Sequence, residues 1–245
     1  MSLPKGLQWL DEPKRLGLSV AGLKHPYVLS FDEGALDRRA RQGGELLWRA
    51  TGASKGRASA SSHLTLDATA GLCRDAFLMA VAGAHVLALE REEALYLMGT
   101  EALARSESPH TARLTLWHAE ALTLLCELSE RAQRGEVPTL FVQGEEREVG
   151  VIYLDPMFPT RQKSAAVGRD AQALQALTHS LERPEKERLA EEERLLTLAL
   201  AVAHYRVVVK RPLKAPPLPG PSPTSAIKGR AIRYDVYGLR ALPKA

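Results

Sequence analysis

Cysteine is scarce in this chain of 245 residues, which has only Cys73 and Cys126. Neither belongs to a C-x-x-C pair or to a Cys/His array, so the sequence predicts neither a disulfide framework nor a zinc site. The seven histidines are scattered along the chain, and no other metal site is expected. A reducing compartment follows from this cysteine usage, and we expect the protein to be cytoplasmic.

Long apolar runs are also missing. The N-terminal segment MSLPKGLQWLDEPKRLG has no apolar core of the kind that a signal peptide needs. The longest apolar stretch, residues 76–89, is interrupted by Gly83 and His85 and is too short to span a bilayer. No membrane association is therefore predicted.

Charge of either sign is not in large excess. Lys and Arg number 33 against 29 Asp and Glu, which gives a net charge of +4. This surplus permits a polyanionic partner without requiring one, so any such argument depends on where the basic residues cluster. Apolar residues make up 45% of the chain, which is ordinary for a globular protein.

Strand and helix patterns alternate from residue 63 onward. Continuous apolar strands in HLTLD, HVLALE, ARLTLWHAE, VIYLD and YRVVVK are separated by helical patterns. This alternation predicts an α/β fold with a mostly parallel sheet that has helices on both faces. The last segment, SAIKGRAIRYDVYG, resembles a strand pair that adds an antiparallel strand at the edge.

The first fifty residues differ from the rest. GLSVAG and YVLSF are typical of short strands, and DEGALDRRARQGGELLWRA is typical of a charged helix. The small-residue segment TGASKGRASASS follows. We therefore predict a small N-terminal α+β region at 1–50 and the main domain at 51–245.

Four of the predicted strands end in an acid. In a doubly wound sheet the carboxyl ends of the strands form the ligand crevice, so these acids are expected to meet there. Any one of them could instead cap the following helix. As a set they favour a binding site. The four acids are Asp67, Glu90, Glu120 and Asp155.

The loop after the first of these strands has only small residues, from Ala68 to Gly71. Its backbone amides, including those of Ala70 and Gly71, can approach a ligand closely. Glu90 ends the next strand, where Rossmann-like folds hold a ribose diol. The loop lacks both G-x-G-x-x-G and a P-loop lysine, so a nucleoside without phosphates fits better than a dinucleotide. S-adenosylmethionine (SAM) is the candidate cofactor.

Asp155, Pro156, Met157 and Phe158 are similar to the D/N-P-P-Y/F motif of methyltransferases that modify exocyclic amino groups of bases. An aryl amine is a poor nucleophile because its lone pair is delocalised into the ring. The Asp155 carboxylate and the Pro156 carbonyl could accept its N–H groups in a preorganised arrangement. Phe158 could stack on an extruded base. A strand-to-loop turn with a core phenylalanine is the alternative.

Several motifs together are found in one family. LDATAGLCRDAF, ALER, WHAEAL, YLDPMFPTRQKS, VVVKRP and KGRAIRYDVY occur in the order typical of the RsmJ family, and the match covers nearly the whole chain. These are SAM-dependent 16S ribosomal RNA guanine-N2 methyltransferases. The resemblance implies a class I, Rossmann-like methyltransferase fold and a 16S ribosomal RNA or small-subunit partner.

The resemblance also implies the cofactor contacts. This chain departs from the family at Cys73, where glycine is usual, and at Glu120 and Ala121, where serines are common. A positive φ at Cys73 would strain the backbone, but the interpretation we favour is that the position tolerates a small side chain. The segment TLFVQGEEREVG resembles an insertion. The implied contacts are Arg74, Asp75, Glu90, Arg91, Glu120, Ala121 and Asp155.

Basic residues follow the fourth and fifth strands of the alternating pattern, and we call this predicted set the basic rim. An RNA backbone outside an acidic cofactor pocket would suit such a rim, although charged loops are more often simply solvated. A non-catalytic RNA-binding or ribosome-assembly protein with the same fold is the alternative function. The predicted RNA contacts are Arg161, Lys163, Lys210 and Arg211.

Overall fold

The computed structural model describes residues 3–11, 14–21, 23–33, 36, 38–39, 46–53, 63–156, 172–174, 177 and 184–243. The N-terminal part forms a three-stranded antiparallel sheet in the order β1-β2-β3. Phe158, Arg161 and Lys163 lie outside the described residues. The elements before the central sheet are β1 (Leu7–Leu10), β2 (Arg15–Leu18), β3 (Tyr27–Val28) and α1 (Leu46–Thr51).

The central sheet and its helices account for the remaining elements. In chain order they are β4 (Leu64–Asp67), α2 (Arg74–Val81), β5 (His85–Glu90), α3 (Glu93–Arg105), a 3-10 helix (Pro109–Arg113), β6 (Leu114–His118), α4 (Ala121–Gln133), β7 (Thr139–Val142), β8 (Glu145–Leu154), α5 (Glu185–Val202), β9 (Arg206–Pro212), β10 (Ser225–Lys228) and β11 (Ile232–Gly238).

The strand order across the central sheet is β10-β11-β9-β8-β4-β5-β6. The five strands from β9 to β6 are parallel, whereas β11 is antiparallel to both β9 and β10. The expected α/β class and the mixed edge are therefore confirmed, with the reversed strand second from the edge. β7 pairs with the first half of β8 as a hairpin. Its two turn residues, Gln143 and Gly144, both have positive φ, as a tight hairpin turn requires.

The two faces of the sheet carry separate cores. One core contains α2 and α3 together with the N-terminal sheet, and the other contains α4 and α5. Phe31 stacks on Phe77 with ring centroids 5.1 Å apart, and the Trp48 indole donates a 2.7 Å hydrogen bond to the Leu78 carbonyl. The N-terminal region thus packs directly on α2. The division at residues 50 and 51 falls at the end of α1 and stays a prediction.

Three local predictions need correction. β1 was not expected, because LQWL is too short and mixed to resemble a strand. β6 ends at His118, so Glu120 is not a strand-end residue. β9 extends through Lys210 and Arg211 to Pro212, so these two residues do not follow the strand but belong to it.

Candidate active site

The switch point of the sheet lies between β4 and β8. From β4 the chain winds outward through β5 to β6, and from β8 it winds the opposite way to β9. Asp67 at the end of β4 is level with Ala88 of β5 and Tyr153 of β8. Because parallel strands share one carboxyl edge, the predicted acids after β4, β5 and β8 lie around a single crevice.

The loop after β4 is fixed by backbone contacts. Asp67 is 1% exposed, and its Oδ1 accepts a 3.1 Å hydrogen bond from the Thr69 N–H. Burial raises the pKa of this carboxyl well above its usual value. The Ala70 N–H donates to the Leu89 carbonyl at 3.0 Å, and Gly71 has φ +53°, which favours glycine. The loop is therefore held against β5, with Asp67 shaping its turn.

Cys73 precedes α2 in the left-handed conformation, with φ 55° and ψ 19°. A residue with a Cβ is strained in this conformation. The side chain is completely buried, and burial raises the pKa of its thiol well above the usual value. Cys73 therefore occupies a position with positive φ, and the expectation that this position merely tolerates a small side chain is corrected.

Lys210 connects two of the predicted site acids. Its ammonium nitrogen lies 2.7 Å from Asp75 Oδ2 at the start of α2 and 2.8 Å from Asp155 Oδ2 at the end of β8. The Tyr153 hydroxyl donates a 2.6 Å hydrogen bond to the same Asp75 oxygen. The Asp155 N–H donates to Thr69 Oγ1 at 2.6 Å. These five side chains form one polar cluster at the switch point, with the Asp155 side chain 37% exposed.

Burial and the neighbouring charges determine the direction of each pKa shift in this cluster. Burial raises the pKa of Asp75, but the adjacent Lys210 ammonium outweighs it and the net pKa is lowered. For Asp155, burial and the neighbouring Asp75 charge together raise the pKa, while Lys210 opposes them. Burial lowers the pKa of Lys210, but the two carboxylates raise it above its usual value, so it stays charged.

Glu90 ends β5 on the other side of β4 and is 7% exposed. Its Oε1 accepts a 2.8 Å hydrogen bond from the Glu92 N–H. Burial raises the pKa of this carboxyl to about 7, against the opposing effect of backbone hydrogen bonds from Glu92 and Gly71. A carboxyl tied to the backbone beside the Gly71 loop fits the predicted contact with ribose hydroxyls.

Glu120 caps α4, because its carboxylate accepts a 3.5 Å hydrogen bond from the Leu122 N–H. The helix-cap interpretation thus applies to this acid, and Ala121 is the first, buried residue of the helix. Arg91 lies between Glu191 at 2.9 Å and Glu120 at 3.5 Å. These ion pairs are partly exposed and add little stability, and they lie beyond the carboxyl end of β5.

The N-terminal sheet reaches this edge through Arg74. The Arg74 guanidinium donates a 3.1 Å hydrogen bond to the Tyr27 hydroxyl of β3.

His118 contacts the Arg91 carbonyl at 3.0 Å through Nε2 and stacks on Tyr96 with centroids 5.0 Å apart. These contacts give His118 structural partners.

The structure places two residues of the predicted basic rim, Lys210 and Arg211, elsewhere than on an outer rim. Arg211 is 2% exposed, donates a 3.0 Å hydrogen bond to the Pro216 carbonyl and lies 3.8 Å from Glu192 of α5. A buried guanidinium cannot contact an RNA phosphate, so its RNA role is withdrawn. Lys210 faces the acid cluster rather than an outer rim. Alternation along β9 puts Lys210 and Arg211 on opposite faces of the sheet, a signal that was already present in the sequence.

Thr69 and Tyr153 are not among the predicted site residues, and Lys210 was predicted only as an RNA contact. No local signal indicates that Lys210 reaches Asp155, because this depends on the pairing of Leu154 with Val209, which only the structure shows. Nothing in the local pattern at Thr69 or Tyr153 indicates their hydrogen bonds.

Among the residues described, no group of three or more His, Cys, Asp or Glu could hold a metal ion. Within the same part of the chain, no helix has the length and apolarity to cross a membrane.

Comparison with known proteins adds to this geometry. Residues 6–239 match a family described as "Putative SAM-dependent methyltransferase". Over 230 residues the chain is 35% identical to "Ribosomal RNA small subunit methyltransferase J" of Marinobacter nauticus, covering 91% of this chain and 73% of that protein. The protein of the same name from Cellvibrio japonicus is 36% identical over 241 residues, with 96% and 83% covered.

A solved structure is similar as well. The SAM-dependent methyltransferase from Neisseria gonorrhoeae superposes with a TM-score of 0.63 at 29% identity, covering 91% of this chain and 79% of that one. The resemblance that the motifs indicated is confirmed by these matches, and so is the class I methyltransferase fold.

Proposed function

Because the chain belongs to the SAM-dependent methyltransferase family that includes ribosomal RNA small subunit methyltransferase J, we propose that it methylates the exocyclic N2 amine of a guanosine in 16S ribosomal RNA. The rRNA, free or within the small subunit, is the proposed partner, and the cytoplasm is the compartment where they meet. The observation that carries this proposal is Asp155, a half-buried carboxylate held at the switch point of the sheet.

The chemistry of the substrate explains why a fixed carboxylate is needed. The guanine N2 lone pair is delocalised into the ring, so the amine must be oriented and made pyramidal. Asp155 can accept one N–H of the amine, and the Pro156 carbonyl can accept the other. Acceptors that are fixed before the reaction need little reorganisation during it, which lowers the barrier. Phe158 lies outside the described residues, and its stacking on the base stays a prediction.

The crevice suits SAM, which supplies an activated methyl group on a sulfonium. Glu90 presents a carboxylate for the ribose hydroxyls, and the positive φ of Gly71 brings backbone close to the ligand. Asp67 and Ala70 shape this loop. Arg74, Asp75, Arg91, Glu120 and Ala121 surround the same edge and are proposed as further cofactor contacts. Their individual roles rest on the family resemblance.

RNA is proposed to dock beside this crevice through the remaining rim residues, Arg161 and Lys163, which lie outside the described residues. Replacing both by alanine should weaken RNA binding and reduce the slope of log affinity against log salt by about 2. Cofactor affinity should not change. An unaltered slope in the double variant would remove these residues from the RNA contact.

The function is tested with labelled SAM and ribosomal RNA from a strain that lacks this protein. We expect transfer of label to 16S ribosomal RNA, with N2-methylguanosine as the labelled nucleoside after digestion. Label in a different nucleoside would replace the proposed target. Binding of both SAM and RNA without any transfer would favour the non-catalytic assembly protein.

A further inference from the structure

The ammonium of Lys210 bridges Asp75 and Asp155 at 2.7 and 2.8 Å. We propose that Lys210 is a positioning residue for methyl transfer, which keeps the Asp155 carboxylate ionised and fixes one of its oxygens so that the other is left for the substrate amine. The inference rests on the proposed function and assigns a role to a residue that had been expected to bind RNA.

The contacts of Asp155 fix its orientation at two points. Lys210 occupies Oδ2, and the backbone N–H of Asp155 is held by Thr69 Oγ1. Within the described part of the chain, no side chain forms a hydrogen bond with Oδ1. A carboxylate has acceptor capacity on both oxygens, so Oδ1 retains the lone pairs that an amine N–H needs. The side chain is 37% exposed, which leaves it accessible from the crevice.

The strand register explains why the lysine reaches this position. Tyr153 pairs with Val208 and Leu154 with Val209, so the next residues along the two strands, Asp155 and Lys210, are neighbours. Tyr153 and Val208 pack into the core that contains α2. Lys210 therefore lies on the α2 side of the sheet, where Asp75 belongs to the first turn of the helix.

The groups around Asp155 determine how Lys210 acts on its pKa. Burial raises the pKa of the Asp155 carboxyl, the Asp75 charge adds to this effect, and Lys210 is the largest opposing influence, with Arg211 a smaller one. An opposite charge at this distance changes the ratio of ionised to protonated carboxyl by a factor of about 10 to 1,000. The other charged or titratable groups near the cluster are Asp67 of β4, Tyr153 of β8, Tyr234 of β11 and Arg39.

A protonated Asp155 would lose the negative charge that makes it a strong acceptor for the amine. Without Lys210, methyl transfer should therefore depend on pH differently, with its acidic limb moved to higher pH. A purely structural role would lower the rate by the same factor at every pH. The pH profile thus separates the two roles.

The test compares Lys210→Met with Lys210→Arg, which keeps the charge. Arg134→Met is the control, since it removes one exposed positive charge at the far end of α4, where Arg134 pairs with Glu136. Single-turnover rates with saturating SAM are measured across the pH range. We expect Lys210→Met to lose at least about tenfold in rate at neutral pH and to recover as pH rises. Lys210→Arg and Arg134→Met should keep the acidic limb of the wild type.

A second measurement does not depend on activity. Aspartate labelled with carbon-13 at the side-chain carboxyl reports the ionisation of Asp155 by NMR, and its signal is assigned by its loss in Asp155→Asn. The titration of this signal should move to higher pH in Lys210→Met, or in Lys210→Gln if the methionine variant does not fold. An unmoved titration would overturn the role of Lys210 even if the enzyme is active. A moved titration in a protein that transfers no methyl group would retain the electrostatic role and reject the proposed function instead.

Discussion

The backbone N–H of Asp155 donates a 2.6 Å hydrogen bond to Oγ1 of Thr69, which joins the end of β8 to the loop after β4. Thr69 in turn donates its own N–H to Asp67. The predicted amine acceptor is thereby positioned by the same loop that is predicted to hold the cofactor. The loop after β4 would then position both the substrate amine and the cofactor. Alignment of these two reactants is the main requirement of methyl transfer from a sulfonium.

Thr69→Val removes this hydroxyl at nearly constant volume, whereas Thr69→Ser retains it. The valine variant should lose about 1–2 kcal/mol of unfolding free energy, because a partly buried N–H is left without a partner. Its transfer rate at saturating SAM should fall further than that of Thr69→Ser. Urea unfolding and single-turnover kinetics measure the two effects. Equal rates in both variants would show that this hydrogen bond does not position Asp155.

Glu90 predicts a distinctive pH dependence. Its pKa is raised from 4.5 to about 7 in the folded protein, so the folded state holds its proton over a range where the unfolded state has released it. Stability from this group is therefore present below pH 4.5 and is lost as pH rises to about 7. Relative to Glu90→Gln, the wild type should lose roughly 3 kcal/mol of unfolding free energy across this window. Denaturant unfolding of both proteins as a function of pH measures the difference.

Cofactor binding should show the opposite trend at the same residue. An ionised carboxylate accepts hydrogen bonds from hydroxyls more strongly than the neutral acid, so SAM affinity should rise through neutral pH in the wild type. Glu90→Gln should bind SAM more weakly and without this rise. Calorimetric titration at several pH values provides the measurement, and a pH-independent affinity in the wild type would contradict a ribose contact at Glu90.

The buried pair of Arg211 and Glu192 gives a test of stability rather than RNA binding. Arg211→Met leaves the buried Glu192 carboxylate with only the weaker influence of Arg188 and should cost about 3 kcal/mol of unfolding free energy at neutral pH. Adding Glu192→Met should restore much of this loss, because both charges are then absent. RNA affinity of the double variant should equal that of the wild type. A large loss of RNA affinity in a fully folded double variant would reinstate Arg211 as an RNA contact.

The sequence was informative wherever a pattern was local. Continuous apolar strands ending in Asp67, Glu90 and Asp155 predicted both the parallel sheet and the acids around its carboxyl edge, because strand direction and alternation follow from a few neighbouring residues. The closing strand pair was predictable for the same reason. β1 was not, since its four residues acquire a strand conformation only by pairing with β2.

The partnerships between distant residues could not be predicted in the same way. Lys210 and Asp75 are far apart in sequence and meet only because β9 lies beside β8 and α2 packs over that face. Arg211 was mistaken for a surface residue because its charge suggested exposure, whereas Glu192 on α5 compensates it in the interior. Glu120 matched the strand-end pattern but caps α4. The difference arises because β6 ends at His118, two residues before the end that the sequence pattern predicted.

Asp155→Asn gives the most direct test of the account. The substitution keeps the shape and one acceptor oxygen, but it loses the charge that pairs with Lys210 and adds a donor that would face the donor N–H of guanine. Single-turnover transfer to 16S ribosomal RNA with saturating SAM should be slower by on the order of a hundred- to a thousand-fold, with SAM affinity much less affected. Asp11→Asn, at an exposed turn after β1, is the control and should transfer at the wild-type rate. A wild-type rate in Asp155→Asn would contradict the role of this carboxylate as the amine acceptor.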